Sequence, residues 1–236
     1  MDNWVPVTLP SGCKVYAGVE PGSVEIRPLV GRDEEILVQL GGDNSSKKIL
    51  LLFKSVLKGI DPVTLTTGDA QHVLLWEAIN SYSDTYPVGF VCMECLHRQE
   101  GVATLKDIES VELPEEFKQP YPVSLSGGVV IKLRLRTLQD DVNLIEYVNA
   151  GNTGYLFNFA QCIVDSDLDI LQRVEMLNNL NVKDLAKIRG FFEKFKHGPD
   201  MIAPVVCNKC NHEEKIEIPF RFSTIIEHVA IFRVSV

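Results

Sequence analysis

The chain has 236 residues, 45% of them hydrophobic, and a mean hydropathy of +0.06. That is enough apolar material for one large domain or two small ones, and too much for a disordered chain. A formal net charge of -9 and a pI of about 5.1 argue against a broad electrostatic footprint for nucleic acid. The longest apolar run, Ile49 to Phe53, is far too short to span a membrane, and Met1-Asp2-Asn3-Trp4 lacks the basic start of a secretory signal.

The first elements expected are short strands separated by turns. They are Val5 to Leu9, a turn at Pro10-Ser11-Gly12, Lys14 to Tyr16, a turn at Pro21-Gly22, and Val24 to Leu29. A helix follows from Arg32 to Leu40, with Asp33, Glu34 and Glu35 favourable to its dipole and Gly41-Gly42 at its end. Ser46 is placed to cap a second helix through Leu57, stopped at Gly59. A third runs from Asp69 to Tyr82, with Val73, Trp76, Ile79 and Tyr82 as its buried stripe and Asp69 as cap or first-turn acid.

The pattern then changes. Val88 to Cys92 and Val102 to Leu105 read as two strands around Cys92-Met93-Glu94-Cys95. Residues 107–128 carry Pro114, Pro120, Pro122 and Gly127-Gly128 and read as a connection with little regular structure. Val129 to Leu135 alternates as a half-buried strand, with Lys132 and Arg134 facing out. Helices are expected over Leu138 to Ala150, Tyr155 to Val164, Leu168 to Asn179 and Val182 to Lys196. Thr137 with Asp140 gives a cap signal, and His197-Gly198-Pro199 a stop. Met201 to Val206 and Lys215 to Phe220 then flank Cys207-Asn208-Lys209-Cys210 as strands. The tail from Thr224 to Val236 reads as a turn of helix followed by a strand.

The two Cys-x2-Cys pairs carry the chemistry. A two-residue gap lets both thiolates of one knuckle reach a single tetrahedral metal, and two knuckles supply the four ligands of a closed structural zinc site. Cys92, Cys95, Cys207 and Cys210 are therefore the expected ligands of a structural Zn2+, in a ribbon split by a long insertion. A redox dithiol is disfavoured, because a thioredoxin-like motif opens a helix and these flanks read as strands on both sides. His97 and His212, each two residues beyond a knuckle, are expected at the surface. Without a secretory signal, reduced thiols are expected throughout, Cys162 as a core residue and Cys13 in a loop.

Catalytic signals are poor: there is no Gly-x-Ser-x-Gly, no phosphate-binding loop, no His-Glu-x-x-His and no Gly-x-Gly-x-x-Gly. The pairs Glu34-Glu35, Glu115-Glu116, Asp140-Asp141 and Glu213-Glu214 read as solvated. So do the basic groups Lys132, Arg134, Arg136 and Lys187, Arg189, Lys194, Lys196. Phe157, Phe159, Phe191, Phe192 and Phe195 read mostly as core, with contact patches as the alternative. The fold class expected is α+β, with small antiparallel sheets, a split zinc ribbon and an inserted helical region. Residues 1–45 would form a β-rich arm, 46–106 with 200–236 the core holding the ribbon, and 107–199 the insertion.

Several segments in order suggest a family. They are Leu9-Pro10-Ser11-Gly12, then Val24-Glu25-Ile26-Arg27-Pro28-Leu29 with Asp33-Glu34-Glu35, then Ile60-Asp61 and Leu65-Thr66-Thr67-Gly68-Asp69. Ser81-Tyr82-Ser83-Asp84-Thr85-Tyr86 follows, then the two knuckles, and finally Pro219-Phe220-Arg221-Phe222. Together they resemble the T4-like phage baseplate hub subunit and assembly-protein family, over most of the chain. The chain departs from the family at Trp76 to Asn80, where arginine is frequent, and at Ser83, where glycine is frequent. The resemblance implies a non-enzymatic role in building the tail hub, with hub and tape-measure proteins as partners and self-association within a symmetric tail. It implies assembly in the host cytoplasm and residence in the virion tail. The competing reading is a zinc-ribbon nucleic-acid or transcription module, which the acidic neighbours Glu94, Glu100, Glu213, Glu214 and Glu217 disfavour.

Overall fold

A computed structural model describes residues 3–38, 45–164 and 166–218. Strands β1 (Val5–Pro6), β2 (Glu25–Ile26) and β3 (Leu57–Lys58) form a small antiparallel sheet in that order. The longer strands expected over 5–9 and 24–29 shrink to these pairs, and none forms at Lys14–Tyr16. Pro6, Pro10 and Pro28 remove ladder donors. The stretch between them closes on itself in turns instead, Gly12 N donating to Leu9 O (2.8 Å) and Tyr16 N to Cys13 O (3.1 Å).

Helices α1 (Gly31–Val38) and α2 (Ser45–Val56) agree with expectation at the ends that are described. The Gly41-Gly42 stop and the Ser46 side chain lie outside the described residues, as do residues 219–236 with their expected strand end and tail. Helix α3 (Thr67–Ser81) starts earlier than expected, because Thr66 rather than Asp69 is its cap: Thr66 Oγ1 accepts Asp69 N at 3.3 Å. Only Val73 of the expected stripe is fully buried; Trp76, Ile79 and Tyr82 are half-buried. The helix lies between two cores, which is why a single stripe fails to describe it. Ala70 and Val73 join Val7, Leu9, Val24, Ile26, Phe53 and Val56 in the first core. Leu75 and Ala78 join Tyr86, Val88, Phe90, Ala103, Ala203 and Val205 in another.

Strands β4 (Thr85–Val91) and β5 (Arg98–Thr104) make an antiparallel hairpin. Short β6 (Ser110–Val111) leads into β7 (Tyr121–Ser124) and β8 (Val130–Leu133), paired antiparallel. Strand β7 was not expected, since Pro120 and Pro122 read as breakers. Among the described residues it is an edge strand, bonded only to β8, where a missing N–H costs no ladder bond. Helices α4 (Leu138–Asn149) and α5 (Gly154–Ala160) follow; α5 ends early because Ile163–Val164 become β9 on the other side of β8. Helices α6 (Ile170–Asn178) and α7 (Val182–Lys194) complete the helical region. Its core is drawn from residues 113–195, centred on Leu133, Leu177, Ile188, Phe191 and Phe195. Strand β10 (Gly198–Pro199) pairs with β6, and β11 (Ile202–Val206) with β12 (Glu213–Glu217) make a second hairpin. The α+β class with small antiparallel sheets is as expected. Among the described residues no helix is long and apolar enough to cross a membrane.

The first turn of α3 sits directly on β10. A Cβ placed on Gly68 would lie 2.3 Å from the His197 carbonyl oxygen, and one placed on Gly198, at φ +99°, would lie 2.6 Å from the Gly68 carbonyl oxygen. Both atoms met are backbone, so neither segment can yield cheaply. Gly68→Ala is expected to cost about 1–3 kcal/mol through overpacking, read as a lower urea midpoint with an unchanged slope.

Candidate metal centre

Each hairpin ends in a knuckle, and the two are built alike. Val91 and Arg98 form the last pair of the first hairpin, Val206 and Glu213 the last pair of the second. Cys92 N donates to His97 O (3.0 Å) and Leu96 N to Cys92 O (2.9 Å); Cys207 N donates to His212 O (2.8 Å) and Asn211 N to Cys207 O (2.9 Å). The residue after each second cysteine is left-handed, Leu96 at φ +56° and Asn211 at +58°. This repeated geometry turns both thiols of each knuckle toward the other hairpin.

The four sulfurs lie within 4.8 Å of one another. Cys92 Sγ is 3.7 Å from Cys210 Sγ, and Cys95 Sγ is 3.7 Å from Cys207 Sγ. A disulfide requires about 2.05 Å, so these are not bonded pairs. A tetrahedron with Zn–S bonds of about 2.3 Å has edges of about 3.8 Å, which these two separations match. Cys92 and Cys207 are fully buried, Cys95 half-buried and Cys210 exposed, so the cluster sits under the knuckle tips. Gln99 of β5 accepts Asn208 N at 2.9 Å and ties the hairpins together beside it.

The thiols compete for protons. Burial opposes ionisation of Cys207, yet the N–H groups of Cys210 and Lys209 and the thiols of Cys210 and Cys95 bring it down to about 6. The His212 N–H favours a Cys210 thiolate, but desolvation, the facing sulfurs of Cys95 and Cys92 and its own knuckle's Cys207 push that thiol up to about 12. Four thiolates this close repel one another, and a dication removes that repulsion. With four thiolates and no open position, such a centre is suited to holding two hairpins together. The cluster, among the described residues, consists of cysteines only. His97 and His212, expected at the surface, are half-buried and contribute main-chain carbonyls.

Other expectations need correction. Asp140 is buried, and Asp141, Arg134 and Arg136 are half-buried and paired rather than freely solvated. Arg134 grips Asp140 with two nitrogens at 2.5 and 2.8 Å, and Asp140, 3% exposed, also accepts the Thr137 N–H (2.8 Å). Arg136 pairs with Asp141 at 2.9 Å and bonds Thr67 and Asn158. These groups therefore join the helical region to the start of α3. Cys162, in the core as expected, has its thiol pushed up to about 12 by burial. Cys13, in its loop, is also buried. Phe157, Phe191 and Phe195 are core; Phe159 and Phe192 are half-buried, beside a cleft of about 360 Å³ that also meets Gln71 and Lys196.

Two buried polar clusters were not foreseen. In one, Asp69 accepts Ser11 N (2.9 Å) and the Tyr16 hydroxyl. Thr66 Oγ1 meets His197 Nε2 at 2.6 Å, and His197 Nδ1 donates to Phe195 O (3.0 Å). No spacing rule joins residues 11, 16, 69 and 197; only Asp69, as a first-turn acid, was visible. In the other, Arg27, Asp33, Ser55, Glu77 and Ser81 gather where α1, α2 and α3 meet. Glu77 is 2% exposed; its Oε2 accepts the Ser81 hydroxyl at 2.8 Å, and its Oε1 has no hydrogen-bond partner among the described residues.

Burial pushes the Glu77 carboxyl from 4.5 up to about 8, with the nearby Asp33 adding to the rise and Arg27, Ser81 and the Leu29 N–H opposing it. Between those values the native state holds a proton that the unfolded chain has released, so stability falls as pH rises through this window. The fall is expected to be on the order of 3–5 kcal/mol at most, and Glu77→Gln should remove it. Urea midpoints at pH 5 and pH 9 for both proteins check this.

A model of the family described as T4 bacteriophage base plate protein matches residues 3–225. No curated protein and no solved structure matches the chain.

Proposed function

The matched stretch runs over nearly the whole chain, so the protein belongs to the T4 bacteriophage base plate protein family, and from that premise we propose that it builds the hub of a contractile tail by binding other tail proteins. Family membership makes it a structural component of the phage tail. The finer reading is a non-enzymatic hub or hub-assembly subunit, with hub and tape-measure proteins as partners, acting in the host cytoplasm before it reaches the virion. The observation that carries this reading is the family match along 3–225, supported by a tetrathiolate cluster whose geometry suits a staple.

Within the same reading, Cys92, Cys95, Cys207 and Cys210 hold one structural Zn2+, and residues 107–199 are an insertion with its own core. The separations of 3.7 Å and the core drawn from residues 113–195 support these two points. The test is affinity capture of the tagged chain from infected cells. Hub or tape-measure proteins in stoichiometric amounts are expected, and their absence from the captured material counts against the reading.

A further inference from the structure

The sheet β7–β8–β9 has two unlike edges. Beside β7, at one edge, the strand and the exposed side of α7 enclose a hollow of about 330 Å³. Its floor is aromatic, from Tyr121, Phe191 and Phe195, and Lys187 and Lys194 flank it. Between the two lysines stands Gly190, where an added Cβ would meet nothing within 4 Å. Glycine inside a helix is destabilising, and neither packing nor a left-handed backbone asks for it here. Its missing side chain keeps the hollow open.

The hollow is positive in a chain of net charge -9, and no carboxylate lines it. Lys194 lies over the rings of Tyr121 and Phe195 and has no carboxylate partner among the described residues. Lys187 is compensated in part by Asp184, 2.8 Å away and itself 2% exposed. Lys183 and Arg189, both exposed, add positive charge to α7, while Glu193 lines the separate cleft beside Phe159 and Phe192. Before β7, Glu115 pairs with Lys14, and exposed Glu116 and Lys118 offset each other.

At the other edge the chain leaves β9 and turns into α6. Here the charge is reversed and the apolar residues stand out. Leu168 and Leu171 are 37% and 61% exposed, and exposed Asp167 and Asp169 flank Leu168. Glu175 follows Leu171 by one turn on the same helix face. Asp165 adds a carboxylate in the sequence. Two cations belong to this corner. Lys132 of β8 stands across from Val164, and Arg173 donates to the carbonyls of Ile163, Ser166 and Leu168. The Arg173 bonds hold the corner in one shape, so little freedom is lost when it docks.

We infer that this corner of one copy docks into the hollow of another, with Leu168 and Leu171 on the aromatic floor and the carboxylates against Lys187 and Lys194. Corner and hollow belong to one chain but lie at opposite edges of one sheet, so they meet between copies. Such a contact is head to tail, and it closes into a ring or continues as a row. The floor supplies the apolar anchor, and the opposed charges set the register and speed the encounter. The chain makes this contact alone, so the inference does not rest on which tail proteins it binds.

Sedimentation of the purified full chain over a range of concentrations is the test. The average mass is expected to rise with concentration, and less so in added salt. Leu171→Asp spoils the corner, and Lys194→Glu spoils the hollow. Each alone should weaken association at least about tenfold, with an unchanged melting temperature because both side chains are exposed. Mixed in equal amounts the two variants should associate again and stop at pairs, since the corner of one still fits the hollow of the other. Gly190→Leu, which fills the hollow without changing its charge, should block association as Lys194→Glu does. A wild-type chain that stays monomeric at every concentration overturns the contact. So do variants that associate like the wild type, or a mixture that fails to recover. The assembly reading survives each of these results, because capture from infected cells tests it separately.

Discussion

A strong chelator is expected to take the two hairpins apart together and to expose four thiols per chain to a thiol reagent. Structural zinc contributes about 10–16 kcal/mol in small peptides, enough to hold two such hairpins together. The ligating knuckles lie far apart in sequence: Cys95 and Cys207 are 112 positions apart. Closing a loop of that length costs about 4 kcal/mol apart from a constant. Metal binding at the proposed level more than offsets that cost, so its removal should free β11 and β12 from β5 and open the core around Phe90, Ala203 and Val205. Cys13 and Cys162 act as internal controls. Both are buried with thiols pushed upward by that burial, Cys162 to about 12, and both should react only when the rest of the chain unfolds. Cys207→Ser is expected to mimic the chelator in part, lowering the melting temperature steeply and releasing the metal. Metal content and thiol titration with and without chelator read the result. Equal thiol reactivity under both conditions sinks the zinc proposal.

The parts of this fold that were legible in sequence are those written locally. A Cys-x2-Cys between two alternating segments is a knuckle whatever surrounds it. Thr137 followed by Asp140 is a cap, and Val129 to Leu135 alternates because one face of β8 is buried. What escaped was set by partners distant in the chain. Lys14 to Tyr16 has the composition of a strand. Ser11 N and the Tyr16 hydroxyl instead go to Asp69, so the segment is held by a helix. Arg134 looked like a surface charge because it alternates with leucines along a strand, and Asp140 because it sits beside Gln139 and Asp141. Their pairing needs β8 and α4 to meet at a corner that no periodicity announces. Strand β7 was hidden by its prolines, which an edge position tolerates. The resemblance reached the tail family through short motifs spread along the chain, and several of those motifs turn out to be buried contacts. Ser11 and Asp69 are joined, Arg27 and Asp33 are joined, and Gly68 lies against His197.

The pair formed by Arg27 and Asp33 is where one substitution should cost most outside the sulfur cluster. Their side chains are 1% and 0% exposed, and two guanidinium nitrogens meet the two carboxylate oxygens at 2.7 and 3.0 Å. Asp33 also accepts the Ser55 hydroxyl (2.6 Å) and Val30 N (2.8 Å). Burial alone would raise its carboxyl; Arg27, Ser55 and the Val30 N–H outweigh that and hold it below 3.8. Asp33→Ala leaves a buried guanidinium without the carboxylate that two of its nitrogens meet, and Glu77 nearby then loses one of the causes of its raised value. Breaking one side of a buried pair costs about 3–5 kcal/mol, and that is the expected loss at pH 7. Replacing the pair together should cost less, because no uncompensated charge remains. The pH signature has the opposite sign to that of Glu77. A depressed carboxyl contributes stability above its unfolded value, and that stability is lost as pH falls through the folded value. The wild type should therefore lose this contribution only below pH 3.8, whereas Asp33→Ala should show no such acid-sensitive step. Urea unfolding of the single and double variants between pH 3 and pH 7 separates the two. A single variant as stable as the wild type would mean that the Arg27 charge finds water when its partner is gone, and that the first core is looser than its packing shows.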